Sequence, residues 1–155
     1  MKFVEYDVLP PFVWPQLQGI WNGVYPTVLA KDSLEDFQAD LSKYEDYWHV
    51  LAMDEEDNVI GWYFDFIREN DRWFGIIIDG SNHGRGIGRK LLEIAKTNRS
   101  RLCGWVFPTS EYIKADGTHY PSPIPFYLKL GFETLPEVEL NTDTFTLIKI
   151  LWERS

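Results

Sequence analysis

Ile76-Ile77-Ile78-Asp79-Gly80-Ser81-Asn82-His83-Gly84-Arg85-Gly86-Ile87-Gly88-Arg89 is the stretch on which the fold turns. Its first half is a β-branched apolar run, the mark of a buried strand. Its second half is a glycine loop opening a helix whose apolar stripe is Ile87, Leu91 and Ala95, flanked by Leu92 and Ile94. Glycines let the backbone take positive φ and approach a ligand closely. A helix N-terminus presents unpaired N–H groups and a positive dipole end. Strand, glycine loop and helix together predict a phosphate site.

Two common phosphate motifs fail here. The P-loop requires G-x-x-x-x-G-K-[ST], and Lys90, the lysine after the glycines, is followed by Leu91. The dinucleotide fingerprint G-x-G-x-x-G, counted from Gly84, puts Arg89 at its last position. The pattern that remains is His83-x-x-Gly86-x-Gly88.

Outward from this stretch, residues 2–8 alternate as a first strand, and a short helix follows Pro10, Pro11 and Pro15 with Val13, Leu17, Ile20 and Trp21 on one face. Residues 22–31 read as a loop, and a second helix starts at Asp32, with Asp32-Ser33-Leu34-Glu35 as a capping box. Strands are expected over Trp48–Met53, Val59–Ile67 and Trp73–Asp79; the acidic run Asp54–Asn58 is the turn between the first two, not a metal site. After the glycine helix, which runs to about Thr97, come a strand over Leu102–Phe107, an irregular segment over 108–122, a short helix over Ile124–Leu130 ended by Gly131, and two strands over 132–140 and 144–152. The order β-α-α-β-β-β-α-β-α-β-β predicts an α+β domain over 1–155, with helices on a mostly antiparallel sheet around a β-α-β unit.

The chain of 155 residues is 45% hydrophobic and 25% charged, a globular balance. Its 16% aromatic content exceeds what a core of this size needs and suggests a lined pocket. Cys103, the single cysteine, excludes an internal disulfide, fits a reducing, cytoplasmic setting, and reads as a buried small hydrophobe. The N-terminus has no signal-peptide pattern, and the longest apolar run, Trp73–Ile78, is too short to span a bilayer. A net charge of −9 argues against nucleic acid. Residues 81–101 carry six Lys/Arg against one acid, leaving nine against 23 elsewhere. That split suggests an anionic ligand at the basic segment and hints at a cationic one outside it.

The strand, His83-x-x-Gly86-x-Gly88 and the helix behind it resemble the CoA-binding motif of the GNAT superfamily of N-acetyltransferases, (Gln/Arg)-x-x-Gly-x-(Gly/Ala), with His83 in the Gln/Arg position. Phe126-Tyr127-Leu128-Lys129-Leu130-Gly131-Phe132-Glu133 is similar to the family's late motif, a short helix carrying Tyr before Gly-Phe; Tyr120 stands where many members have Asn, and 108–121 is longer than usual. The resemblance implies a three-layer α/β/α fold with a mixed, mostly antiparallel sheet splayed between its fourth and fifth strands. It implies acetyl-CoA as co-substrate, its pyrophosphate on His83, Gly84, Arg85, Gly86, Ile87, Gly88 and Arg89, and its pantetheine on the main chain of Ile76, Ile77 and Ile78. One of those N–H groups would polarise the thioester, and Tyr127 would protonate the leaving thiolate. The implied partner is an amine that attacks directly in a ternary complex, without a metal; a homodimer is left open. A non-catalytic acyl-CoA-binding module and a protein N-acetyltransferase are the alternatives, and the long segments 22–31 and 108–122 favour a lidded small-molecule pocket. For the base that deprotonates the amine, Asp65 is the candidate carboxylate because it falls on the inward face of its strand with Val59, Gly61 and Tyr63; His49 and His119 are weaker.

Overall fold

A computed structural model describes residues 1–155. Its elements are β1 (Lys2–Tyr6), α1 (Trp14–Val24), α2 (Leu34–Asp40), β2 (Glu45–Met53), β3 (Val59–Arg68), β4 (Asp71–Ile78), α3 (Ile87–Asn98), β5 (Arg101–Val106), α4 (Ile124–Lys129), β6 (Glu133–Asn141) and β7 (Thr146–Glu153). The order is the one the periodicities predict, with boundaries moved by up to a few residues. Helix α1 extends to Val24, so the connection after it is shorter than expected, and a 3-10 turn fills Thr27–Leu29. Helix α2 starts at Leu34, two residues later than expected, and its cap is Ser33 in place of Asp32: the Ser33 hydroxyl accepts from the Asp36 N–H, satisfying one orphan donor of the first turn.

Seven strands form one sheet in the order β1-β2-β3-β4-β5-β7-β6. All neighbours are antiparallel except β4 and β5, which run parallel and pair only at Trp73 and Cys103. Beyond that bridge the two strands part, and apolar groups occupy both faces of the wedge. On one face the Trp73 and Trp105 rings stack at 4.9 Å; on the other the Phe74 ring lies so close to Gly104 that an added Cβ there would sit 2.9 Å from it.

The alternation of each strand builds two cores, one per face. Val50, Ala52, Ile60, Tyr63 and Phe74 pack under α3 and α4 with Leu91, Leu92, Tyr127 and Phe132. Leu51, Trp62, Phe64 and Ile77 face the other way, onto Leu17 and Ile20 of α1 and Phe37 of α2. Much of the aromatic surplus is here: Trp14, Phe37 and Trp62 meet edge to face. This is the three-layer α/β/α arrangement with the sheet splayed between its fourth and fifth strands. No helix is long and apolar enough to cross a membrane.

Candidate active site

The glycine loop leads from the end of β4 into α3. Gly84 and Gly86 have φ of 80° and 74°, the left-handed region that costs other residues about 1–2 kcal/mol. Gly86 caps α3, and its carbonyl accepts from the Lys90 N–H. The N–H groups of residues 84–89 make no hydrogen bond within the chain, leaving six donors at the positive end of a twelve-residue helix. Arg85 donates to Asn82 Oδ1 at 2.6 Å, and Arg89 lies 3.5 Å from Glu93. His83 turns back instead of outward: its ring Nε2 is 2.8 Å from the carbonyl oxygen of Ile78. It therefore braces the loop against the end of β4.

The β4 edge facing the wedge follows from the alternation of antiparallel bonding. The Asp79 N–H donates to Ile60 O, and the register pairs Gly61 with Ile78, Trp62 with Ile77 and Tyr63 with Ile76. Alternate residues exchange bonds with the neighbour, so Ile77 turns its amide to β3 while Ile76 and Ile78 turn theirs toward β5. Since β5 has already diverged, Ile76 offers both main-chain groups to the wedge. Ile78 offers its N–H, its carbonyl being held by His83. The expectation that Ile76, Ile77 and Ile78 all present main chain to a ligand is thus corrected at Ile77.

A cavity of about 950 Å³ runs from the glycine loop through the wedge to the α1–α2 face. Tyr25 and Leu29 on one side and Lys114 and Tyr120 on the other line it from two segments that pair: residues 112–120 form a small hairpin turning at Gly117, Pro26 bridges to Lys114, and the Thr27 N–H donates to Ile113 O at 2.9 Å. Tyr127 stands in the cavity wall, held by Phe74, Phe126 and Phe132 rings at 5.1–5.8 Å. Its hydroxyl makes no hydrogen bond within the chain, although the residue is buried. Burial first, then the neighbouring phenols Tyr25 and Tyr120, hold its pKa well above the ordinary phenol value. Tyr120 is pushed up to about 12 by burial and lies 6.2 Å, ring to ring, from Tyr25. All three phenols are neutral donors at physiological pH. Tyr25 was missed from sequence because it sits on irregular chain, where no period exposes a shared face, and Tyr120 was noted only as the residue in the Asn position of the late motif, not as a phenol beside Tyr127.

Asp65 is inward, as its place in the alternation predicts, but it is not at this cavity. It is fully buried on the α3 side of the sheet. Its carboxylate accepts from Tyr63 Oη at 2.7 Å, Arg99 Nε at 2.9 Å, Arg99 Nη2 at 3.1 Å and Arg72 Nη1 at 3.1 Å. With four donors on two oxygens, no lone pair remains for an amine, and the candidate base becomes a structural anion. His49 is likewise internal, accepting from the Trp62 indole N–H at 3.1 Å, and burial lowers its pKa to about 4. His119 is exposed and its Nδ1 lies 3.0 Å from Ser110 O. Asp40 is the one carboxylate in the cavity wall, and Lys31 Nζ holds it at 2.7 Å.

Comparison with known proteins agrees with this architecture. A family model described as an acetyltransferase (GNAT) domain matches residues 46–134. Among solved structures, an aminoglycoside 6'-N-acetyltransferase complexed with coenzyme A superposes with a TM-score of 0.70 at 16% identity, over 99% of this chain and 97% of that one. A putative phosphinothricin N-acetyltransferase gives 0.70 at 19% identity, covering 99% of each chain. A phosphinothricin acetyltransferase from Sinorhizobium meliloti in complex with acetyl-CoA gives 0.67 at 17% identity, over 100% of this chain and 90% of that one. No curated protein matches the sequence.

Proposed function

This chain belongs to the GNAT acetyltransferase family, and from that premise we propose that it moves an acetyl group from acetyl-CoA to the amino group of a small molecule within one ternary complex. The observation that carries the proposal is the continuous cavity: free helix-start donors at one end, a free strand edge in the middle, an unpartnered phenol in the wall and an aromatic-lined space on the α1–α2 face. Bound acetyl-CoA would supply the acetyl group as a thioester.

The donor set suits that molecule. Six free N–H groups, with open space around Gly84 and Gly86, can surround a pyrophosphate. The main-chain groups of Ile76 and Ile78 fit an extended chain of amides laid into the wedge, as a missing strand would lie. An N–H on that edge stabilises negative charge developing on a carbonyl oxygen. Tyr127 keeps its proton through the neutral range and donates it to the departing sulfur.

The acceptor needs a lone pair, and an alkyl amine with pKa ~10.4 is less than about 0.1% neutral at pH 7. The wall offers only Asp40, already paired with Lys31, so the amine's proton is assigned to solvent in the acceptor chamber. The pairing of 26–27 with 113–114, which ties together the segments carrying the wall residues Tyr25, Lys114 and Tyr120, favours a small acceptor over a protein chain. CoA release from acetyl-CoA, followed over a panel of small amines, tests the proposal. Binding without turnover on every amine would instead support an acyl-CoA-binding module.

A further inference from the structure

Resting on that reading of the cavity, we propose that the acceptor is an amine carrying a carboxylate-type oxyanion on a flat apolar frame, and that Arg68 binds the oxyanion. Arg68 closes the alternating series Phe64, Phe66, Arg68 on β3 and so faces the α1–α2 side of the sheet, away from α3 and the glycine loop. Its guanidinium lies 5.0 Å from the Trp73 ring centre and 5.9 Å from that of Trp105, over the stacked indoles. It makes no hydrogen bond within the chain; its one ionic neighbour, exposed Glu69, is 3.9 Å away and screened by water. By contrast, Arg72, Arg99, Arg101 and Arg154 all donate to acceptors in the fold.

The surroundings of Arg68 are aromatic and cationic. The Trp73 indole N–H is the chain's one buried side-chain polar atom without a hydrogen-bond partner. That N–H is closed off from the cavity, so at this site Trp73 contributes its ring and not a donor. Lys43 and Lys114 line the same cavity, while Lys149, 5.3 Å from the Trp73 ring centre, lies outside its lining. Against these cations the wall sets one carboxylate, Asp40, already neutralised by Lys31. A guanidinium presents a rigid fork of donors that matches a carboxylate, and stacked indoles present a flat apolar wall. A polycation entering this chamber would meet like charge.

The test compares 4-(aminomethyl)benzoate, its uncharged analogue 4-(aminomethyl)benzamide, and kanamycin as a polycation, by acetyl-CoA-dependent CoA release and by calorimetric binding to the protein saturated with CoA. The benzoate should exceed the amide in kcat/KM and in affinity by about 10- to 100-fold, the usual worth of a charge-assisted pair, and kanamycin should rank last. Arg68→Gln should bring the benzoate-to-amide ratio close to one without changing the KM for acetyl-CoA, and Arg68→Lys should recover part of it. Lys43→Gln, at the surface, should lower the ratio in the same direction if Arg68→Gln folds poorly. A ratio near one in the wild type, or an unchanged ratio in Arg68→Gln, overturns the proposal. The two readings fail separately. Arg68-dependent benzoate binding with no turnover of any amine removes acetyl transfer and keeps the anion site. Turnover of kanamycin with no benzoate binding removes the anion site and keeps acetyl transfer.

Discussion

The phenol of Tyr127 is buried among three aromatic rings and yet bonded to nothing in the chain. A Tyr kept for structure caps a nearby acceptor; this one has none, so its hydroxyl is free for a ligand. Tyr127→Phe should lower kcat by about 100-fold, the low end for a general acid because thiolate leaves readily, while acetyl-CoA affinity stays within a few-fold. Asp65 behaves in the opposite way. Asp65→Ala strips the shared anion from Arg72 and Arg99, which are 15% and 24% exposed, and should cost about 3 kcal/mol in urea unfolding. The protein that remains folded should keep near-normal kcat. His49 adds a pH signature. Its folded pKa of about 4 lies below the ordinary 6.5, so below pH 6.5 the unfolded chain binds the proton more readily. Stability should be complete above about pH 6.5 and fall as pH drops toward 4, by about 3 kcal/mol in all. Urea midpoints between pH 7.5 and 4.5 measure this slope, and His49→Gln should flatten it.

At the scale of elements, the loop before α3 does its work with backbone. Gly86 has open space around it, but its φ of 74° disfavours any side chain. Gly86→Asn, which tolerates that conformation, should keep acetyl-CoA binding within about tenfold, whereas Gly86→Glu places a carboxylate where the free donors point and should weaken it at least about 100-fold. Calorimetry on folded protein decides; equal affinities would detach the loop from the ligand. The elements that could be read from sequence are those with a strong period. The strand Ile76–Ile78, the stripe Ile87–Leu91–Ala95 and the Gly131 cap all point one way locally and stand where they were expected. What could not be read depends on pairing. That Ile77 bonds to Trp62 while Ile76 faces an open edge is a property of register, and register is set by the partner strand. The alternating apolar pattern of β3 ends at Ile67, one residue short of Arg68, which carries the free guanidinium.

Across the whole molecule, charge is arranged differently from what its total suggests. A net −9 with one basic segment hints at a cationic acceptor. The folded chain places Arg68, Lys43 and Lys114 in the wall of the cavity and leaves its one wall carboxylate paired. Net charge governs attraction at a distance; the wall that touches a ligand is chosen by which few side chains the fold gathers there. Those residues come from β3, the α2–β2 connection and the hairpin at 112–120, and nothing local in the sequence joins them. Asp65 shows the same limit, since an inward carboxylate on an apolar face could meet a substrate or an arginine, and only the packing of α3 supplies Arg99. The central claim is that this one cavity performs acetyl transfer with Tyr127 as acid. The most direct measurement is acetyl-CoA-dependent CoA release over the amine panel by wild type and Tyr127→Phe at matched acetyl-CoA saturation. Amine-dependent release that falls about 100-fold in the variant at unchanged acetyl-CoA affinity is the expected result. Tight acetyl-CoA binding with no amine-dependent release, or equal release by both proteins, would contradict it.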